Sequence, residues 1–484
     1  MIILLFAGGL LGLITSSILM MIVLHRLSPY LNSYKQKSLR DSHTTPLPRL
    51  GGISIFWGFI LTLLIIWFLP FDERGLSLES LPQYRLMGLL LGGLLAWSIG
   101  IVDDLFDIHI RWKLLGQGGI AMIAIMLGFE ILSINLPFIP KFSLGFLSWP
   151  VTILWIGGVM NAVNLIDGID GLASGISIIA LLVLASICWF ESQYVLLLVI
   201  LALIGTTFGF FSFNHPPASI FMGDSGSLFL GYSLAVLSLW VTKAENSIHT
   251  AVPLLILAIP LLDTGFAFFR RFLKGIPFYS ADKDHIHHRL ITKGYSPFFV
   301  LLVLTFISLL FGLMAIFAYT NPFYHGYSYL GGAILAYLIL YWLEYDIIRN
   351  PLSTMFHKKT HQKRRSLMMA IGENIDSFLE KEPDQESVLR SFVYWTDLVE
   401  VSQSELSYNG NLVWQKGSEY SSQRMLLFKK ESWELRLALP ESSWTVDSDV
   451  KGNLLEKVSM ALLSRLEKID RLQPQTSSQL TSNI

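Results

Sequence analysis

Two carboxylates stand side by side in the run Val102-Asp103-Asp104-Leu105-Phe106-Asp107, with Arg111 and Lys113 just beyond. Adjacent acids repel, and a divalent cation or a cationic partner compensates that repulsion. A capped, solvated helix start is the plain alternative. Asn161, Asn164, Asp167 and Asp170 recur three residues apart, which places them on one helical face and its following turn. Gly168 and Gly171 between them let backbone come close to a ligand. So oxygen-rich a set suits Mg2+ with phosphates better than zinc, although a capped turn would also read this way. Asp224 lies in Gly223-Asp224-Ser225-Gly226-Ser227 at the head of an apolar run. A positive helix end favours anions there, and an N-cap aspartate would look the same. The run Asp282-Lys283-Asp284-His285-Ile286-His287-His288-Arg289 gathers cationic donors fit for phosphate or sugar oxygens. Zinc is its rival reading, with crowded ligands and no cysteine to help.

The elements that must position these groups are apolar. Eleven windows are long enough to cross a hydrocarbon core about 30 Å thick, among them 2–24, 114–130, 250–269 and 327–346. The first has neither a charged lead nor a small-residue cleavage site, so it reads as a retained span. Up to residue 365 most Lys and Arg fall in the loops after the odd-numbered windows, which places those loops in the cytoplasm with the amino terminus outside. Most of the chemistry-bearing residues above lie in these loops. Acids and histidines at the ends of spans are costly unless they serve a site.

Composition agrees. Hydrophobic residues make up 52% of the 484 and charged residues only 15%, against about a quarter in soluble chains. The formal net charge of -1 excludes an overall basic footprint for nucleic acid. The single cysteine, Cys188, excludes an intrachain disulfide and a thiol zinc site.

The spacing predicts an all-α polytopic membrane protein of about 11 transmembrane helices (1–346) with a C-terminal cytoplasmic α+β domain. Residues 347–365 form a basic juxtamembrane linker whose HKKTHQKRR stretch anchors topology or meets anionic headgroups. Within 366–472 two helices (367–381, 386–393) precede a hairpin turning at Asn409-Gly410, strands at 424–430 and 433–439, and an amphipathic helix near 450–470. Residues 473–484 read as a disordered tail. No catalytic cluster falls in this domain, which is either a regulatory or partner-docking module or a spacer.

The runs DDLFD, NAVNLIDGIDGLASG, FNHPPASIFMGDSGS and HIHHRL, in this order, resemble the polyprenyl-phosphate N-acetylhexosamine-1-phosphate transferases, over about residues 1–346. The closer likeness is to the branch that starts O-antigen, enterobacterial common antigen or teichoic acid linkage synthesis. The resemblance implies a helical bundle with a kinked ninth span. It implies transfer of N-acetylhexosamine 1-phosphate from a UDP-sugar to undecaprenyl phosphate at the bacterial inner membrane, with Mg2+ (or Mn2+ in its place). Asp224 and Asn164 would hold the metal or the pyrophosphate. Asp103 and Asp104 would position or deprotonate the lipid phosphate, and Lys113 would face the phosphates. Asp170 would meet uracil with Asp167 as its supporting neighbour, and His285, His287, His288 and Arg289 would engage the pyrophosphate and sugar. A homodimer and a protein partner for the C-terminal domain are further expectations.

Three rivals stand beside this reading. A phospho-N-acetylmuramoyl-pentapeptide transferase usually has a different first-loop motif and a triple-histidine loop, where this chain has HTTPLPRLGG and HIHHRL. An intramembrane prenyltransferase would leave the DGIDG and HIHH runs unexplained. An ion-coupled transporter predicts acids in mid-span, whereas here they cluster at span ends.

Overall fold

The computed structural model describes residues 2–27, 47–68, 77–135, 141–244, 247–248, 251–274, 285–321, 323–343, 379, 387–388, 403–408, 411–416, 423–430, 433–440 and 448–472. The chain divides into two compact units, one of residues 1–267 with 284–345 and one of residues 268–283 with 346–484.

The first unit is built of α1 (Ile2–Ile22), α2 (Gly51–Phe68), α3 (Gln83–Phe106) and α4 (Ile110–Met126), then a small hairpin β1 (Ser133–Ile134) and β2 (Phe142–Ser143). There follow α5 (Ser148–Ile166), α6 (Leu172–Phe190), α7 (Tyr194–Asn214) and α8 (Gly223–Thr242). A second hairpin, β3 (Lys243–Ala244) with β4 (Ser247–Ile248), leads to α9 (Ala251–Ile256) and α10 (Ala258–Lys274). Then come α11 (Ile286–Thr292), α12 (Pro297–Thr320) and α13 (His325–Trp342). Each of the eleven apolar windows overlaps a helix, and among the described residues eight helices are long and apolar enough to cross a membrane. The helix α4 within the window 114–130 has 17 residues, and the window 250–269 is broken between α9 and α10 at Leu257. Pro260 explains that break, since it has no N–H for the carbonyl of Ile256 one turn earlier.

At the centre stands α8, packed against α2, α3, α5 and α6. All of its twenty residues except Asp224 are buried. Outer helices turn large apolar side chains outward, such as Phe6, Leu10 and Ile14 of α1 and Phe298, Leu302 and Phe306 of α12. This is the pattern of a bundle whose solvent is lipid.

The second unit contains β5 (Gln403–Tyr408), β6 (Asn411–Lys416), β7 (Gln423–Lys430), β8 (Trp433–Pro440) and α14 (Ser448–Leu472). The strands form one antiparallel sheet in the order β6-β5-β8-β7. Tyr408 of β5 pairs with Asn411 of β6, and the two residues between them lie outside the described residues. Alternation buries Trp433, Leu435 and Leu437 of β8 with Leu406 of β5, and α14 packs on β7 and β8 with Leu462, Leu463 and Leu466 buried. The helices expected at 367–381 and 386–393, the basic linker and the tail lie outside the described residues, save for 379 and 387–388, which are helical.

Candidate active site

The α3–α4 turn is written by Asp103. Its backbone carbonyl accepts the N–H of Asp107, a residue in the left-handed region (φ 47°) that ends α3. Its Oδ1 accepts the N–H of Ile108 at 2.8 Å. His109 then caps α4 by accepting the N–H of Arg111. With the turn fixed, Asp103 Oδ2 faces Lys113 Nζ at 2.8 Å.

Lys113 gathers the cluster. Its ammonium also hydrogen-bonds Asp224 Oδ2 and, at 3.4 Å, Asn164 Oδ1. Asn164 Nδ2 donates to Asp224 Oδ1 (2.9 Å) and to Ser227 Oγ (2.8 Å). Four helices therefore supply one network: Asp103 from α3, Lys113 from α4, Asn164 from α5, and Asp224 with Ser227 from α8. One turn along α4 and α5, Gln117 and Asn161 join their amides in both directions, at 2.7 and 3.3 Å. That pair fixes the register of α4 against α5, so that Lys113 meets Asn164.

Asp104 points elsewhere. Its two oxygens accept the N–H groups of Asp224 (2.9 Å) and Ser225 (3.1 Å). A carboxylate from α3 thereby caps the N-terminus of α8, where unpaired donors and the helix dipole both favour it. Gly223 makes room: its φ is +76°, and a Cβ there would lie 2.6 Å from the Arg49 carbonyl and 2.7 Å from Asp104 Oδ2. The segment before α2 is sewn to the same place, with Phe221 N–H donating to Pro48 O, and Gly51 and Gly52 donating to Phe221 O and Met222 O.

The turn between α5 and α6 carries Asp167 and Asp170. Asp170 Oδ2 accepts the N–H of Ala218 at 3.0 Å, tying this turn to the loop before α8. Asn214 supports both sides: its Oδ1 accepts from Gly171 N–H and Ser174 Oγ, and its Nδ2 donates to Ile220 O. Burial, with the charges of Asp224 and Asp104 nearby, pushes the Asp167 carboxyl well above the usual carboxylate range.

The histidines ride on and before α11. His285 Nδ1 lies 3.2 Å from Asp263 Oδ2, and Asp263 Oδ1 accepts the N–H of Ile286 at 2.8 Å. His287 is 1% exposed, and neither of its ring nitrogens has a hydrogen-bond partner. Burial, with His288 and His285 beside it, pushes its imidazole down to about 3, so it is neutral near pH 7. Its ring lies against Gly168, where a Cβ would stand 2.6 Å from Nε2. The rings of His287 and His288 are 4.3 Å apart. Arg289 is turned at least partly away, with Nη1 on the carbonyl of Leu343 at 3.1 Å just past the end of α13.

The structure thus brings Asp103, Lys113, Asn164 and Asp224 into direct contact, and sets His287 against the turn that holds Asp167 and Asp170. Asp104 instead caps α8, and Arg289 donates to the carbonyl of Leu343. Asp282, Lys283 and Asp284 lie outside the described residues, as do Asp41, Ser42 and His43. Asp263 and Gln117 went unnoticed in the sequence, although an acid inside an apolar window was the signal for Asp263.

Comparison with known proteins accords with this arrangement. The pattern described as Glycosyl transferase family 4 matches residues 86–242, which include Asp103, Asp104, Lys113, Asn164, Asp167, Asp170 and Asp224. A Bacillus subtilis (strain 168) protein named "Probable undecaprenyl-phosphate N-acetylglucosaminyl 1-phosphate transferase" is 36% identical over 296 residues, covering 61% of this chain and 79% of the relative. The undecaprenyl-phosphate alpha-N-acetylglucosaminyl 1-phosphate transferase of Yersinia pestis is 30% identical over 308 residues, covering 62% and 80%. The decaprenyl-phosphate N-acetylglucosaminephosphotransferase of Mycobacterium tuberculosis (strain CDC 1551 / Oshkosh) is 30% identical over 315 residues, covering 59% and 75%. On this identity and coverage the chain belongs to glycosyl transferase family 4, among relatives named as polyprenyl-phosphate N-acetylglucosamine-1-phosphate transferases.

Proposed function

We propose that this protein transfers N-acetylglucosamine 1-phosphate from UDP-N-acetylglucosamine to undecaprenyl phosphate, releasing UMP, as the first membrane step of a cell-surface polysaccharide. The observation that carries the reading is the network of Asp103, Lys113, Asn164 and Asp224 at the converging ends of four helices. The names of the relatives support both the sugar and the lipid acceptor.

In the proposed step an oxygen of the lipid phosphate attacks the β phosphorus of the UDP-sugar. The bond from that phosphorus to the bridging oxygen breaks, and its electron pair leaves on UMP. Such chemistry needs positioning and charge stabilisation more than covalent help from the protein. Lys113, held between two carboxylates, is placed to exchange one of them for a phosphate oxygen. Asp103, anchored to the α3–α4 turn, would then hold the lysine or the incoming lipid phosphate. His285, His287 and His288 would meet the pyrophosphate and sugar, and Asp170 the uracil.

The oxygens around Lys113 are hard donors of the kind Mg2+ prefers. Among the described residues no group of three His, Cys, Asp or Glu side chains is placed to hold a metal ion by itself. An ion held by Asp224 and Asn164 would therefore take its remaining ligands from phosphates and water, as Mg2+ beside nucleotides does. When bound, it would neutralise charge growing on the pyrophosphate. The loop charges support a cytoplasmic site in a bacterial inner membrane, with the amino terminus outside and the C-terminal domain inside.

The test is UMP release by purified protein given undecaprenyl phosphate, Mg2+ and a panel of UDP-HexNAc donors, with UDP-N-acetylmuramoyl-pentapeptide included. Lipid- and metal-dependent release with UDP-N-acetylglucosamine is the expected outcome. Release with the pentapeptide donor alone, or none from folded protein, overturns the reading.

A further inference from the structure

Asp263 is a buried acid, 2% exposed, that the reaction outlined above does not use. It stands on α10, six residues past the break at Leu257, within an otherwise apolar stretch. An acid in such a place is retained only for a partner. Its partners all belong to the histidine segment. Oδ1 takes the N–H of Ile286, the first residue of α11, while Oδ2 lies 3.2 Å from His285 Nδ1 and 3.9 Å from His287 Nδ1. The rings of His285 and His287 are stacked, 5.8 Å apart and 6° from parallel. One carboxylate therefore faces the same nitrogen of two imidazoles and caps the helix that carries one of them.

The geometry points to Asp263 as a positioning residue that sets the orientation and tautomer of His285 and His287. With Nδ1 of each ring turned to the carboxylate, Nε2 is the nitrogen left to present outward, and on His287 that nitrogen abuts Gly168 in the turn of Asp167 and Asp170. His287 has no hydrogen-bond partner of its own, so its aim rests on this neighbour and on packing. A carboxylate behind an imidazole selects the ring nitrogen that meets the substrate. The role rests on the proposed transfer reaction, and it also has a consequence that can be read without turnover.

The informative variant is Asp263→Asn. The amide keeps the size and can still accept the Ile286 N–H, but it turns a donor toward His285 Nδ1 and so favours the opposite tautomer. We expect kcat to fall about 10- to 100-fold, as when other groups that orient a histidine are changed, with little change in KM or in the thermal midpoint. In a background with both His285→Ala and His287→Ala the same substitution should cost less than about threefold, because the two groups it acts through are gone. Independently, labelling of full-length protein with diethyl pyrocarbonate, quantified by mass spectrometry, should show His285 and His287 reacting several-fold faster in the variant, with His288 as internal reference. If Asp263→Asn does not fold, Asp263→Glu is measured in the same way and should show a smaller loss with the same labelling change. Full turnover, a loss that persists unchanged without both His285 and His287, or unaltered labelling each overturns the proposal. Wild-type protein that releases no UMP counts against the transfer reaction instead, and the labelling still decides whether Asp263 holds the histidines.

Discussion

The two halves of the site are built on opposite principles. Around Lys113 every group is answered: the ammonium touches Asp103, Asp224 and Asn164, and Asn164 in turn touches Asp224 and Ser227. Around His287 neither ring nitrogen has a hydrogen-bond partner, and the residue is fully enclosed. A satisfied network holds its shape without a ligand, and a ligand must displace a partner to enter it. An unsatisfied buried imidazole costs folding free energy until something bonds to it. On the proposed reaction the first half is preorganised, whereas the second would gain its missing hydrogen bonds from the substrate.

That contrast can be broken most severely at the satisfied half. Asp224→Asn or Asp103→Asn removes a charge that Lys113 needs, and UMP release should fall by about 100-fold or more, with protein that still elutes as folded. Turnover near the wild-type rate would show that the cluster is scaffold alone. A smaller effect, roughly tenfold, is expected from Gly168→Ala, whose Cβ would collide with His287 Nε2 and move it while leaving the Lys113 network in place. An undiminished rate would mean that His287 does not work at that turn.

The smallest effect sharpens the comparison through pH. His287 resists protonation in the folded protein down to about 3, whereas the unfolded chain takes that proton near 6.5. Between those values the unfolded state binds more protons, so stability falls as pH falls. Replacing His287 with Gln removes this contribution. The drop in thermal midpoint from pH 7.5 to pH 5 should then be smaller in the variant than in wild type. Equal drops would mean that the imidazole is not held neutral.

Much of this site was legible because its residues sit in short runs with helical spacing. Asp103 and Lys113 flank one turn, and Asn161 and Asn164 share one face of α5, so local pattern sufficed to propose a cluster. The split between Asp103 and Asp104 was not legible. Adjacent side chains on a helix diverge by about 100°, and only the tertiary position of α8 decides which of them becomes its cap. Gln117 was hidden for a similar reason, since its partner Asn161 lies 44 positions away. Asp263 was visible as a lone acid in an apolar window, but its meaning depends on α11 folding back to it. In the second unit the strands at 424–430 and 433–439 were readable from local pattern, and β7 and β8 lie there.

The burial of α8 bears on how the molecule is made. Its mean hydropathy, 1.4, is the lowest of the eight spanning candidates, and it carries Ser225, Ser227, Ser233, Ser238 and Thr242 in its interior. Lipid alone rewards such a segment less than its neighbours. Its stability comes from contact with α2, α3, α5 and α6. All four are synthesised before it, so α8 leaves the insertion machinery into a socket already standing. Asp224 thereby reaches Asp103, Lys113 and Asn164 as the last piece to be seated among them.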